Sequence, residues 1–219
     1  MRELITFAGM KSLSRFASYL FHPLLFPTYG TLLILTLNPN LFGPFDKAAQ
    51  IKWIIVFALT FLFPVVWILM MKGLGMIDNF KLETSKERIV PYVATITFYL
   101  WTAWMYKANV HMKTATNPFI FYMMVGACIS VSTAFFLNTW TLISLHTIGA
   151  GSMLGLLLIL VKFSTFDLRW LFVGFILWAG IIGTARLILK AHTETQVALG
   201  YLIGFTGQFL AFNIISRFV

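Results

Sequence analysis

The chain has 219 residues, 59% of them hydrophobic and only 11% charged, with a formal net charge of +9. A water-soluble domain carries about 25% charged residues to wet its surface, so the composition excludes an ordinary soluble globule and any long disordered region. The basic surplus forms no run or stripe outside the apolar segments, which argues against nucleic-acid binding.

Taken in chain order, the first fifteen residues, with Arg2, Lys11 and Arg15, read as a short interfacial helix. No small-residue cleavage site follows, so the first apolar run is expected to be retained as a span. Spans are predicted over Phe16–Leu37, Ile51–Met71, Pro91–Tyr106, Phe119–Leu137, Ser144–Val161, Leu168–Leu189 and Val197–Ile215. Each approaches the roughly 20 residues that cross about 30 Å of hydrocarbon, and Pro91–Tyr106 is the shortest. Trp101, Trp104, Trp140 and Trp170 fall near segment ends, where an interfacial aromatic belt places them. Pro23, Pro27 and Pro64 are expected to kink their helices. Gly151 and Gly155, Gly180 and Gly183, and Gly200 and Gly204 recur at helical spacing, as close helix contacts require. Cys128 sits alone in an apolar run and reads as a packing residue. No strand alternation runs through the chain. The predicted fold is an all-α integral membrane protein of about seven transmembrane helices, one polytopic domain over residues 1–219.

All seven acids, Glu3, Asp46, Asp78, Glu83, Glu87, Asp167 and Glu194, fall outside the predicted spans. An ion-coupled transporter needs a carboxylate at membrane depth, and a magnesium-dependent lipid transferase needs clustered carboxylates. Neither is present in the sequence. The remaining polar residues collect in three places: Asp78 to Pro91, Ser144 to His146, and Arg186 to Gln196. Two predicted crossings separate each cluster from the next, so all three can meet at one membrane face. Lys81, Arg88 and Arg186 supply cationic donors suited to phosphate oxygens, and His146 and His192 can divide nucleophile and acid roles. Phosphoryl transfer needs those parts.

The spacing resembles the membrane PAP2 family of phosphatidic-acid-phosphatase-like enzymes, over roughly Lys81 to Gln196 within a helical core of about residues 72–215. The family's first motif is Lys, six residues, Arg-Pro; Lys81 and Arg88 keep that interval, with Ile89 in place of the proline. The second, Pro-Ser-Gly-His, is matched by Ile143-Ser144-Leu145-His146. The third, Ser-Arg, five residues, His, three residues, Asp, is matched by Ala185-Arg186, His192 and Gln196. The resemblance implies a lipid phosphate or diphosphate phosphatase working without metal or other cofactor. His192 is then the nucleophile that becomes phosphohistidine, and His146 protonates the leaving alkoxide. Lys81, Arg88, Ser144 and Arg186 hold phosphate oxygens, and Gln196 stands where the family has an aspartate. Gln196 can accept an imidazole N–H but supplies no negative charge, and a serious loss of rate is expected from that. A catalytically silent relative that binds lipid headgroups, or serves as a membrane scaffold, is the alternative. The expected partners are a phosphorylated membrane lipid and the bilayer. The family resemblance points to a bacterial inner membrane, whereas the cations split too evenly between the two sides to orient the chain.

Overall fold

The computed structural model describes residues 2–37, 43–76, 84–111, 118–164, 166–214 and 217. Every long element among them is a helix: α1 (Arg2–Leu20), α2 (Phe26–Leu37), α3 (Lys47–Phe57), α4 (Phe63–Gly73), α5 (Ser85–His111), α6 (Pro118–Leu137), α7 (Leu145–Phe163), α8 (Arg169–Ile188) and α9 (Glu194–Asn213). The all-α class and each of the seven apolar segments expected from the sequence reappear in these helices.

The first span is not one helix. A 3₁₀ turn, Pro23–Leu25, separates α1 from α2. Proline disfavours the helical region for the residue before it, and His22 accordingly takes an extended backbone (φ −63°, ψ 137°). The exposed α1 end is tied back by the Tyr29 hydroxyl, which donates to the Leu20 carbonyl at 2.8 Å. Pro64 acts more gently. It follows a π-helical turn, Ala58–Leu62, that joins α3 to α4 without breaking the run, as expected where a missing N–H disturbs the backbone ladder. Helix α5 begins six residues before the predicted start at Pro91. Its start is set by a reciprocal cap: Glu87 N–H donates to Thr84 Oγ1 at 3.3 Å and Thr84 N–H to Glu87 Oε2 at 3.1 Å. That earlier start puts Arg88 on the first turn of α5.

Five stretches, Gly9–Leu37, Lys47–Gly73, Pro118–Leu137, Leu145–Phe163 and Arg169–Ile188, are long and apolar enough to cross a membrane. Buried residues make up 50% and 56% of the apolar windows in α6 and α7, against 22% in α3–α4 and in α8. The latter helices therefore present apolar side chains such as Trp67, Leu69, Ile176, Leu177 and Ile181 outward, which suits lipid contact. Helix α9 is the more polar because it lies against α6 and α7 instead. Its Gln208 is 1% exposed and donates through Nε2 to the Met123 carbonyl at 3.1 Å, an interhelical bond.

Helices α7 and α9 approach closely through glycine. A Cβ on Gly204 would meet the Ile148 carbonyl, so only glycine fits there. Gly180 differs from the sequence expectation: nothing lies within 4 Å of where its Cβ would stand, so its face is open.

Hydrogen bonds close the polar end of the bundle. Asn138, just after α6, donates from Nδ2 to the Ser85 carbonyl at the start of α5 (2.8 Å). Gln196, at the start of α9, donates from Nε2 to Thr141 Oγ1 at 3.4 Å. The loop between α6 and α7 thus touches both other polar clusters, which places the described parts of all three at one end.

Candidate active site

Each side chain of the site stands at a helix end. Arg88 lies on the first turn of α5, and His146 is the second residue of α7. Arg186 occupies the last turn of α8, which ends in a left-handed residue, Lys190 (φ 51°). That reversal, closed by Ala191 N–H donating to the Arg186 carbonyl at 3.1 Å, turns the chain so that His192 faces back beside Arg186. Thr193 then caps α9 in a capping box with Gln196.

Arg88, His146, Arg186 and His192 line one cavity of about 530 Å³. Apolar residues form much of the remaining wall, among them Phe26, Ile68, Tyr99, Met123, Val131 and Leu156. No carboxylate lines it among the described residues. The cavity has a cationic, histidine-bearing end and a long greasy interior.

His192 is held by two acceptors. Its Nδ1 lies 2.9 Å from the Leu142 carbonyl and 3.2 Å from Gln196 Oε1. Gln196 Oε1 also accepts Thr193 N–H at 3.1 Å, which fixes the amide with its oxygen toward the ring. A nitrogen facing two acceptors carries the proton, so the lone pair of neutral His192 is on Nε2. Burial, aided by the Arg186 and Arg88 guanidiniums, lowers the His192 pKa to about 4, while the bonds to Gln196 and Leu142 oppose that shift. The ring is therefore neutral at physiological pH.

His146 is fixed the other way round. Its Nε2 lies 3.1 Å from the Ser18 carbonyl, so Nε2 carries the proton and Nδ1 the lone pair. Arg186 donates from Nη1 to Ser18 Oγ at 3.0 Å. Its Nε is buried with no hydrogen-bond partner among the described residues. A buried guanidinium N–H without an acceptor is costly, and an oxyanion entering the cavity would satisfy it.

Two expected site residues, Ser144 and Gln196, do not line the cavity. Ser144 is fully buried and caps α7, accepting Thr147 N–H at 3.5 Å. Gln196 stands behind His192, contributing through that ring. Lys81 lies outside the described residues. His22, conversely, lines the cavity, with its ring centroid 6.2 Å from that of His146. The signal for it was a histidine inside an apolar segment, which is a functional candidate by default.

Residues 127–219 match the family model of the PAP2 superfamily. Over that stretch the chain is PAP2-like. No curated protein and no solved structure matches the chain. The PAP2-like stretch contains His146, Arg186, His192 and Gln196; Ser18, His22 and Arg88 are supplied from outside it. A helical membrane fold accords with the five span-length stretches among the described residues, and the protein is a multi-pass membrane protein.

Proposed function

We propose that the protein is a lipid phosphate or diphosphate phosphatase that works through a phosphohistidine on His192. The observation that carries this reading is the tautomer of His192. With Nδ1 committed to Leu142 and Gln196, the Nε2 lone pair is the free nucleophile in a cavity shared with two arginines. The apolar interior matches the chain of a lipid, and the cationic end its phosphate.

In this reading Nε2 of His192 attacks phosphorus, and the bond from phosphorus to the lipid oxygen breaks as the new N–P bond forms. Arg88 and Arg186 hold the equatorial oxygens, whose charge they neutralise. The Gln196 and Leu142 oxygens accept the Nδ1–H of the imidazole that becomes positive. His146 Nδ1 takes a proton from the substrate's phosphate, whose second pKa is about 6, and passes it to the leaving oxygen. Water then attacks phosphohistidine and gives its proton to His146 Nδ1 as the N–P bond breaks; His146 returns that proton to the departing phosphate, which restores both neutral histidines. Each step uses this chain's own residues, and we place the reaction in a bacterial inner membrane.

Phosphate release from a panel of lipid phosphates, in detergent with chelator, tests the proposal. Turnover by the wild type, lost in His192→Ala, supports it; equal turnover in His192→Ala overturns it. One observation favours a second reading as a headgroup-binding protein without turnover: Gln196 gives His192 an acceptor but no charge. A silent wild type that gains no activity on Gln196→Asp would favour that reading.

A further inference from the structure

Ser18 is joined to two site residues at once, although it lies on α1, more than a hundred residues before the PAP2-like stretch. We propose that Ser18 is a positioning residue that sets the anion-binding pose of Arg186 and the tautomer of His146. This rests on the reading of the cavity's polar end as an oxyanion site.

The geometry is fully specified. Ser18 Oγ donates its proton to the Ser14 carbonyl at 2.8 Å, which leaves its lone pairs for Arg186 Nη1–H at 3.0 Å. The Ser18 carbonyl accepts His146 Nε2–H at 3.1 Å. Ser14 itself is buried, so the hydroxyl's orientation is anchored from within α1. Packing of α1 against α8, the helix that carries Arg186, holds the two partners in register.

The chemistry explains why a serine suits this place. A carboxylate would hold a guanidinium more strongly, but it would cancel the positive charge that an incoming phosphate needs. A hydroxyl with its proton already committed orients Arg186 and leaves its charge uncompensated. The carbonyl in turn compels neutral His146 to keep its lone pair on Nδ1, the nitrogen that must take up and return a proton. The helix break at His22–Pro23 ends α1 shortly after Ser18 and begins the 3₁₀ turn.

The test compares Ser18→Ala and Ser18→Thr in the full-length chain. Binding of orthovanadate, followed by calorimetry, reads the oxyanion site without requiring turnover. Loss of one charge-assisted hydrogen bond predicts that Ser18→Ala weakens vanadate binding about tenfold. Ser18→Thr, which keeps the hydroxyl, is expected to bind within about twofold of the wild type. With a lipid phosphate substrate the same loss appears in KM, and kcat changes less than about twofold. Unchanged vanadate affinity in Ser18→Ala overturns the proposal, as does failure of Ser18→Thr to restore it. A KM effect that persists undiminished in an Arg186→Ala background also overturns it, because positioning must act through Arg186. If the wild type binds vanadate but hydrolyses no lipid phosphate, the hydrolase reading fails; the positioning role still stands or falls by the vanadate comparison.

Discussion

Replacing Gln196 with glutamate exchanges one amide nitrogen for an oxygen and adds one charge beside His192. The side-chain oxygen already lies 3.2 Å from His192 Nδ1. Two unit charges at that distance attract by about 5 kcal/mol at an effective dielectric constant of 20. Both side chains are partly exposed, so solvent screens the interaction to about 1–3 kcal/mol. Glutamate also preserves the cap with Thr193, being the commoner residue at that helix position. The His192 pKa, held near 4, is expected to rise by about one to two units at 1.36 kcal/mol per unit. The same stabilisation acts on the imidazolium-like transition state, so the phosphorylation step should quicken about 10- to 100-fold. Rapid-quench single turnover measures the rate, and ¹⁵N imidazole shifts measure the pKa. A glutamate variant with an unmoved His192 pKa, or with a slower phosphorylation step, would refute the assignment of Gln196 as the partner of the nucleophile. Gln196→Leu is the converse. It removes one acceptor but leaves the Leu142 carbonyl at 2.9 Å. The rate should fall about tenfold, from one lost hydrogen bond, and not the roughly ten-thousandfold seen where a histidine adopts the wrong tautomer.

Other outcomes follow from the same geometry. Single-turnover phosphorylation should fall as pH drops through about 4, where the folded-state His192 takes up its proton. Because that proton binds the unfolded chain already near pH 6.5, the stability contributed by neutral His192 is complete above pH 6.5 and is lost between 6.5 and 4, readable as a falling Tm. Ser144→Ala should lower stability by about 1 kcal/mol through loss of the α7 cap, with KM unchanged, since Ser144 lies off the cavity wall. Gly204→Leu should destabilise by about 1–3 kcal/mol or more through overpacking, whereas Gly180→Leu, with open space at its Cβ position, should be nearly neutral in thermal unfolding.

The sequence disclosed this architecture unevenly, for physical reasons. Helices that traverse hydrocarbon must be apolar for about 20 residues, so all seven segments could be recognised from composition, and the parity of crossings brought Arg88, His146 and His192 together. Boundaries set by side-chain capping were less visible. The Thr84–Glu87 cap moved the start of α5 upstream of Pro91, and Ser144 spends its hydroxyl on α7's first turn where a phosphate ligand was expected. Ser18 and His22 escaped notice because their segment reads as a single apolar run. Their contacts with His146 and Arg186 depend on tertiary packing of the chain's first helix. The role of Gln196 was half legible: an acceptor for imidazole could be anticipated, but its second support, the Leu142 carbonyl fifty residues away, depends on tertiary packing.

The most direct test of the account is chemical trapping of the covalent intermediate. The wild-type protein is mixed with a lipid substrate bearing ³²P in its terminal phosphate, quenched in base within milliseconds, and digested for peptide mapping. The account predicts an acid-labile, base-stable label on the peptide that contains His192, absent in His192→Ala. Turnover without any label on His192, or a label retained in His192→Ala, would contradict it.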